Sequence, residues 1–497
     1  MNTNKPMIRL ACNICLLVFL MAFYAHSSAQ DMWHLLQPVP GKSFGIDIGN
    51  AFRQVNDKQP APVVVAVIDN GTQITHPALQ PYLWVNEREI ADNNKDDDGN
   101  GYTDDIHGWN YLGGASEDIS YAALEVTRHY QALKKKYPDT AELTEEQIDE
   151  LQDATARFEE IEREWISMAK LANKAYDKRN NFLVKNILKL TIGGNAEEEL
   201  AEMKVVADEM VRMNSINTDS MRRAIVGDNP DDPAERIYGN NHLDAGDPAH
   251  GTHTAGIIMN IAKQDNHKGD WLKIITLRSV PVYGDERDKD VANAIRYAVD
   301  NGAKVINMSF GKELSPHRQE VIAATRYAKE KDVLLVHGAG NDGRQIDSLY
   351  SGNFPNPLLD SLTYADNWIE VGASANNRKK LVASFSNYGR KSVDILAPGH
   401  NIYSAYPPDT FKAMSGTSMA APVVAGVAAA IRSYYPQLSA PQVKEILMKT
   451  VVRHQGYYPV GGNKKLVAEL WYFSRSGGII NAKSAFEEAA KIMATMR

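Results

Sequence analysis

Four short stretches of this chain carry side chains able to move protons or to stabilise charge. In Gly416-Thr417-Ser418-Met419-Ala420-Ala421-Pro422 a serine stands just ahead of a small-residue run, Val423 to Ile431. Such a run suits a closely packed, buried helix, and Pro422 suits its first turn, where no backbone donor is needed. A serine there lies beside exposed backbone N–H groups and the positive end of the helix dipole, which stabilise a developing oxyanion. The same position equally suits a helix-capping serine. In His250-Gly251-Thr252-His253-Thr254-Ala255-Gly256 two histidines lead into an apolar segment, Ile257 to Ile261, so an imidazole stands at a helix start. Read as a zinc pair the motif is poor, because helical zinc-protease histidines are spaced i, i+4 with an acid between them. Asp69-Asn70-Gly71 closes an apolar run, and Asn341 stands between glycines in Gly338-Ala339-Gly340-Asn341-Asp342-Gly343. Asp69 reads either as a turn residue or as a carboxylate facing a ligand crevice. Asn341 reads either as a turn residue or as an oxyanion donor.

The elements that must hold these groups follow from the hydrophobic pattern. Pro62 to Ile68 is a continuous β-branched run of the kind that forms a parallel strand buried on both faces. Beyond the histidines, strands are expected at Lys273–Val280, Lys304–Met308, Val333–His337, Trp368–Gly372 and Val393–Leu396. Helices are expected near Lys289–Asn301, Pro316–Lys331, Ser418–Tyr434 and Ala440–Val451. Alternation of this kind predicts an α/β fold, a parallel sheet flanked by helices. Asn307-Met308-Ser309-Phe310-Gly311 leaves one strand end as an extended, glycine-terminated segment.

An acidic loop, Asp96-Asp97-Asp98-Gly99-Asn100-Gly101-Tyr102-Thr103-Asp104-Asp105, is rich in oxygen ligands. Asp96, Asp98, Asn100, the Tyr102 carbonyl and Asp104 follow the first, third, fifth, seventh and ninth positions of a calcium loop, with Gly101 at the sharp bend. Position twelve is His107 rather than a bidentate Glu, so the loop is not an EF-hand. A structural Ca2+ is expected there.

Between about Glu117 and Met213 the composition turns to Ala, Glu, Lys and Leu. Thr144-Glu145-Glu146-Gln147 reads as a capping box opening a long helix. Ile148, Leu151, Ala154, Phe158, Ile161, Trp165, Met168, Ala172 and Ala175 then follow coiled-coil spacing. Earlier and later helices are expected around Tyr121–Tyr137 and Ala196–Met213, and Asp228 to Asp232, with Pro230 and Pro233, reads as an exit linker. The expected organisation is a segment 1–29, a first part 31–116 with the acidic loop, a helical insertion 117–235, and a second part 236–497.

Residues 1–29 read as an export signal: Lys5 and Arg9, an apolar run from Leu10 to Tyr24, then Ser27-Ser28-Ala29. About fifteen apolar residues are short for a membrane span, and no transmembrane segment is expected in the mature chain. Both cysteines, Cys12 and Cys15, fall in this segment, so the exported chain is expected to fold without disulfides. Removal of Lys5 and Arg9 takes the formal charge of the 497-residue chain from −8 to −10, which argues against nucleic acid as a partner.

Taken together and in this order, Asp69-x-Gly, His250-Gly-Thr-His, Gly340-Asn341 and Gly416-Thr-Ser418-Met-Ala-Ala-Pro resemble the subtilases, subtilisin-like serine peptidases, over about residues 31–116 and 236–497. The order Asp, His, Ser is that of the subtilisin triad. The resemblance implies an exported serine endopeptidase acting on protein or peptide substrates through an acyl-enzyme. It makes Ser418 the nucleophile, His250 the general base and Asp69 the residue that fixes and stabilises the imidazole. It also implies Asn341 as oxyanion donor, and Ser309, Phe310 and Gly311 as the segment that pairs with substrate backbone. The alternatives on the same scaffold are an inactive peptide-binding or adhesion module and a transacylase using the same triad. Asn70 departs from the family's usual Ser or Thr and is expected to weaken hydrogen bonding around the carboxylate. The 180 residues between Asp69 and His250 exceed what the fold needs, and the helical insertion accounts for the excess. About 38 residues lie between the expected cleavage point and Asp69, so the usual inhibitory pro-domain is expected to be absent.

Overall fold

The structure, a computed structural model, describes residues 32–39, 43–139, 143–178, 196–347 and 365–496. The expected export segment 1–29 lies outside them. The described residues form two compact units. One is helical, Val126–Thr218; the other contains the remaining described residues, Glu125 and Asp219 included. Residues 117–125 and 219–235, on either side of the helical unit in sequence, therefore belong to the sheet-containing unit.

In the sheet-containing unit, seven parallel strands run in the order β2-β3-β1-β4-β5-β6-β7. They are β1 (Val63–Asp69), β2 (Gly108–Asn110), β3 (Leu272–Arg278), β4 (Ala303–Met308), β5 (Leu334–Gly338), β6 (Trp368–Ser374) and β7 (Ile395–Pro398). This is the parallel, helix-flanked α/β sheet expected from the alternation of strand and helix patterns. Burial on both faces explains why β1 reads as an unbroken apolar run instead of alternating. Hairpins β8 (Ile402–Tyr406) with β9 (Thr410–Met414), and β10 (Tyr458–Val460) with β11 (Asn463–Ala468), lie outside the main sheet.

The helices among the described residues are α1 (Ile48–Arg53), α2 (Glu125–Lys136), α3 (Glu145–Asp177), α4 (Ala196–Ser215), α5 (Thr218–Ile225), α6 (Ala249–Ala262), α7 (Asp288–Asp300), α8 (Arg318–Glu330), α9 (Thr417–Tyr434), α10 (Ala440–Lys449) and α11 (Ala482–Thr495). Ala66 and Ile68 of β1 pack with Val291, Ile295, Val321 and Ala324 of α7 and α8. Successive strand residues point to opposite faces, so Val65 and Val67 face the other side, where α6 and α9 pack. Helix α9 is buried along almost its whole length, which its Ala, Gly and Val content permits. At Gly426 a Cβ would come within 2.7 Å of Ile261 Cδ1, so α6 and α9 approach closely because no side chain intervenes.

In the helical unit, Thr144 closes the expected capping box with Gln147 at the start of α3. Tyr130 and Phe158 stack at 4.4 Å, and Ala169 and Ala172 meet Ala207 of α4. The stretch read as an exit linker is more ordered than its polar composition suggested. Arg222 on α5 pairs with Asp228 and with Asp290 of α7, all three essentially buried, and Lys289 joins Asp228. Charges at this depth persist because each is paired.

Candidate active site

The site grows from the C-terminal ends of β1 and β4. Their register pairs Ile68 with Met308, and Asp69 and Ser309 are the next residues along the two neighbouring segments. Each holds one further group. Asp69 Oδ1 accepts from His250 Nδ1 at 2.7 Å and from the Asn70 N–H at 2.8 Å, and Oδ2 accepts from Thr254 Oγ1 at 3.2 Å. Ser309 Oγ donates to the Ser418 carbonyl at 2.9 Å, and Ser418 Oγ donates back to the Ser309 carbonyl at 3.2 Å. Neighbouring strand ends thus bring the carboxylate–imidazole pair and the serine to one edge of the sheet.

His250 lies in the first turn of α6. Burial works to lower its pKa, but the adjacent Asp69 carboxylate, aided by Asp247, outweighs burial, and the pKa stands above the ordinary histidine value. The second histidine of the motif has a different fate. His253 is fully buried on the same helix, bonded through Nε2 to the Lys412 carbonyl at 3.0 Å, and burial holds its pKa down to about 3.

The Asn70 side chain is spent on the backbone on either side of His250. It accepts from the Gly251 N–H at 3.1 Å and donates to the Asp247 carbonyl at 2.9 Å, bracketing His250 in sequence. A Cβ on Gly251 would lie 1.9 Å from the Gly71 carbonyl, so the start of α6 is pressed against the loop that carries Asp69.

Ser418 is the second residue of α9, behind the N-cap Gly416. The N-cap residue is Gly416 and the Ser418 hydroxyl bonds to Ser309, so the serine is not spent as a cap. Because the helix begins at Thr417, Pro422 falls in the second turn instead of the first. There it withholds the N–H that the Ser418 carbonyl would otherwise accept. The Ser309 hydroxyl fills that vacancy. Nothing in the local sequence signals this pairing.

Asn341 is oriented by its oxygen. Oδ1 accepts from the Thr417 N–H at 2.9 Å and from Thr417 Oγ1 at 3.1 Å, while Thr417 Oγ1 accepts from the Gly340 N–H at 3.0 Å. Nδ2 is thereby turned the other way. A point one carbon out from Gly416 lies 3.5 Å from Asn341 Nδ2 and 3.6 Å from the Ser418 nitrogen, so two donors border one small space. In the adjoining segment, exposure rises from buried Ser309 through half-buried Phe310 to exposed Gly311.

The acidic loop is held together by its own carboxylates. Asp96 accepts from the N–H groups of Gly99, Asn100 and Gly101, and Asp98 pairs with Arg88 at 2.9 Å. Of the residues expected to bind calcium, Asp96 and Asp98 come together, joined by Glu89, with one oxygen from each within 4.8 Å of the others. Glu89 was not foreseen, since it lies seven residues ahead of the loop. The Asp104 carboxylate instead receives the N–H groups of Asn93 and Asn94, and Asn100 Oδ1 that of Tyr102. The Tyr102 ring packs edge-on against Trp109 and Tyr297, anchoring the loop to the core.

Several known proteins are similar to this chain over part of its length. Subtilisin DY of Bacillus licheniformis is 32% identical over 241 residues, 48% of this chain and 77% of that protein. Thermitase of Thermoactinomyces vulgaris is 39% identical over 189 residues, 37% of this chain and 61% of that protein. A cell wall-associated protease of Bacillus subtilis (strain 168) is 31% identical over 257 residues, half of this chain but 26% of that longer protein. The model of the subtilase family matches residues 61–470, which takes in the two strand ends, both helix starts and the asparagine. On that match the chain belongs to the subtilase family of serine-type peptidases.

Proposed function

We propose that this protein is an exported serine endopeptidase in which Ser418, His250 and Asp69 act in sequence on a peptide carbonyl. The observation that carries the reading is the 2.7 Å bond from His250 Nδ1 to Asp69 on the strand end beside the one that holds Ser418. The Asp69 bond leaves Nε2 of the ring to serve as base. For attack, the Ser418 hydroxyl exchanges the Ser309 carbonyl for His250 Nε2, which takes its proton. Asp69 stabilises the imidazolium, and the proton passes on to the leaving amine. The oxyanion then receives hydrogen bonds from Asn341 Nδ2 and the Ser418 N–H, and water releases the acyl group. Residues 309–311 pair with the substrate backbone as an added strand.

A structural calcium ion fits the acidic loop chemically, since Glu89, Asp96 and Asp98 present only hard oxygen donors. Bound there, it would supply positive charge that offsets their mutual repulsion. Export rests on the basic, apolar and small-residue order of residues 1–29. Among the described residues no helix is long and apolar enough to cross a membrane.

The test is covalent labelling with a fluorophosphonate. Ser418 is expected to be the labelled residue, and Ser418→Ala should lose both labelling and proteolysis. Folded, calcium-treated protein that resists the probe would overturn the proposal.

A further inference from the structure

One buried side chain beside the substrate segment has no part in the chemistry above. Lys312 follows exposed Gly311 directly and is itself 4% exposed. Its ammonium donates to Glu125 Oε2 at 2.7 Å and to the Glu286 carbonyl at 2.8 Å, and it pairs with Asp288 Oδ1 at 2.8 Å. Two hydrogen bonds and an ion pair thus fix a side chain that is otherwise flexible. The end of the substrate segment is therefore anchored from below.

The anchors have a common address. Glu286 and Asp288 lie in the segment 282–290, and Glu125 is the residue from which the chain runs into the helical unit. The stem leading into that unit is bound along the same segment. The Val282 N–H donates to the Ser120 carbonyl, the Ala122 N–H to the Tyr283 carbonyl, and the Glu125 N–H to Asp285 Oδ2. At Gly284 a Cβ would lie 2.0 Å from the Ala122 carbonyl, so the two backbones touch. The stem leading out grips the segment from its other end. Asp219 pairs with Arg287, Arg222 binds Asp290 through two hydrogen bonds of 2.7 Å, and Lys289 meets Asp228 and Glu235. Both stems of the helical unit and the end of the substrate segment thus converge on nine residues.

We propose that segment 282–290 couples the two stems of the helical unit to the substrate segment 309–311, with Lys312 as the positioning side chain that carries the coupling. This deepens the peptidase reading and rests on it. The physical basis is that a buried ammonium tolerates no lost partner. When Glu125 shifts, Lys312 must follow it or stay one hydrogen bond short, and following it moves the backbone at Phe310 and Gly311. The ligand whose binding responds is a peptide long enough to pair with that backbone.

The experiment uses the full chain with Lys312→Met, Lys312→Arg and Glu125→Gln, each measured two ways. One readout is KM and kcat for a peptide extending several residues to the N-terminal side of the cleaved bond. The other is the rate of labelling by a small fluorophosphonate, which needs Ser418 but not the strand. Lys312→Met should raise the peptide KM by about tenfold while labelling stays within about twofold. Glu125→Gln should give the same signature at smaller amplitude, and Lys312→Arg should recover most of the affinity. Equal losses in both readouts, or a Glu125→Gln variant with unchanged peptide KM, would overturn the coupling. If Lys312→Met fails to fold, the Glu125→Gln result alone decides. If the unsubstituted protein is not labelled at all, the peptidase reading falls and the coupling falls with it.

Discussion

Ser309 and Ser418 are joined by two opposed hydrogen bonds, each hydroxyl donating to the other residue's carbonyl. One of these bonds is made necessary by Pro422, and the other must open before the Ser418 hydroxyl can meet an imidazole. Ser309 therefore serves the start of α9 as well as the end of β4.

Ser309→Ala is predicted to leave the Ser418 carbonyl without a donor, at a cost of about 1–3 kcal/mol in stability. Pro422→Ala restores an N–H four residues along and should recover part of that loss. In a double-mutant cycle followed by urea unfolding, the two changes should couple by at least about 0.5 kcal/mol. Strictly additive effects would show that the carbonyl has another partner.

The acid limb of kcat/KM should lie above pH 6.5. As the proposed base, His250 works only when neutral, and its pKa is raised above that ordinary value because Asp69, aided by Asp247, outweighs burial. In Asp69→Asn burial remains and the larger raising charge is gone, with only Asp247 left to oppose burial, so the limb of the residual activity should move to lower pH. A pH–rate profile with the limb unmoved would contradict this account of the pair.

Glu286 gives a stability prediction of definite sign. Burial first, then Asp285 and Asp288, raise its carboxyl pKa from 4.5 to about 7 against the opposing pull of Lys312. The folded protein then holds this proton more tightly than the unfolded chain, so stability drains away as pH rises from about 4.5 to about 7. Glu286→Gln should flatten that part of the Tm-against-pH curve relative to the parent and raise Tm at pH 8. Parallel curves for the two proteins would exclude it.

For the acidic loop, added calcium should raise Tm, and a chelator should reverse the gain. Glu89→Gln and Asp98→Asn should each abolish most of the response, because their oxygens face the same point. Asp104→Asn should lower stability, because Asp104 holds the Asn93 and Asn94 amides, but leave the calcium response, since its carboxylate lies outside the Glu89, Asp96 and Asp98 group. A calcium titration followed by calorimetry separates these outcomes.

Groups that announce themselves locally were legible from sequence. The motifs around Asp69, His250, Asn341 and Ser418 each mark a strand end or a helix start, and the strand that ends at Asp69 stands out by its unbroken apolar run, Val63 to Ile68. What escaped depends on partners distant in the chain. Glu89 reaches the loop only because the chain folds back on it. Asp228 looked like part of an exit linker, yet Arg222 and Lys289 neutralise it in the interior. Asn70 was expected to weaken the surroundings of the carboxylate, but its side chain is turned to the backbone on either side of His250. Pairing of this kind has no periodicity and no local composition to betray it.

Gly426 and Ile261 mark where α6 and α9 touch with nothing between them. His250 and Ser418 stand at the starts of these two rods, about 16 and 12 Å back along them at 1.5 Å per residue. The contact therefore acts as a fulcrum. A methyl group inserted there would tilt both levers, and the working ends would separate although no reacting atom had been replaced. The proposed turnover is therefore open to damage from a site that no substrate ever reaches.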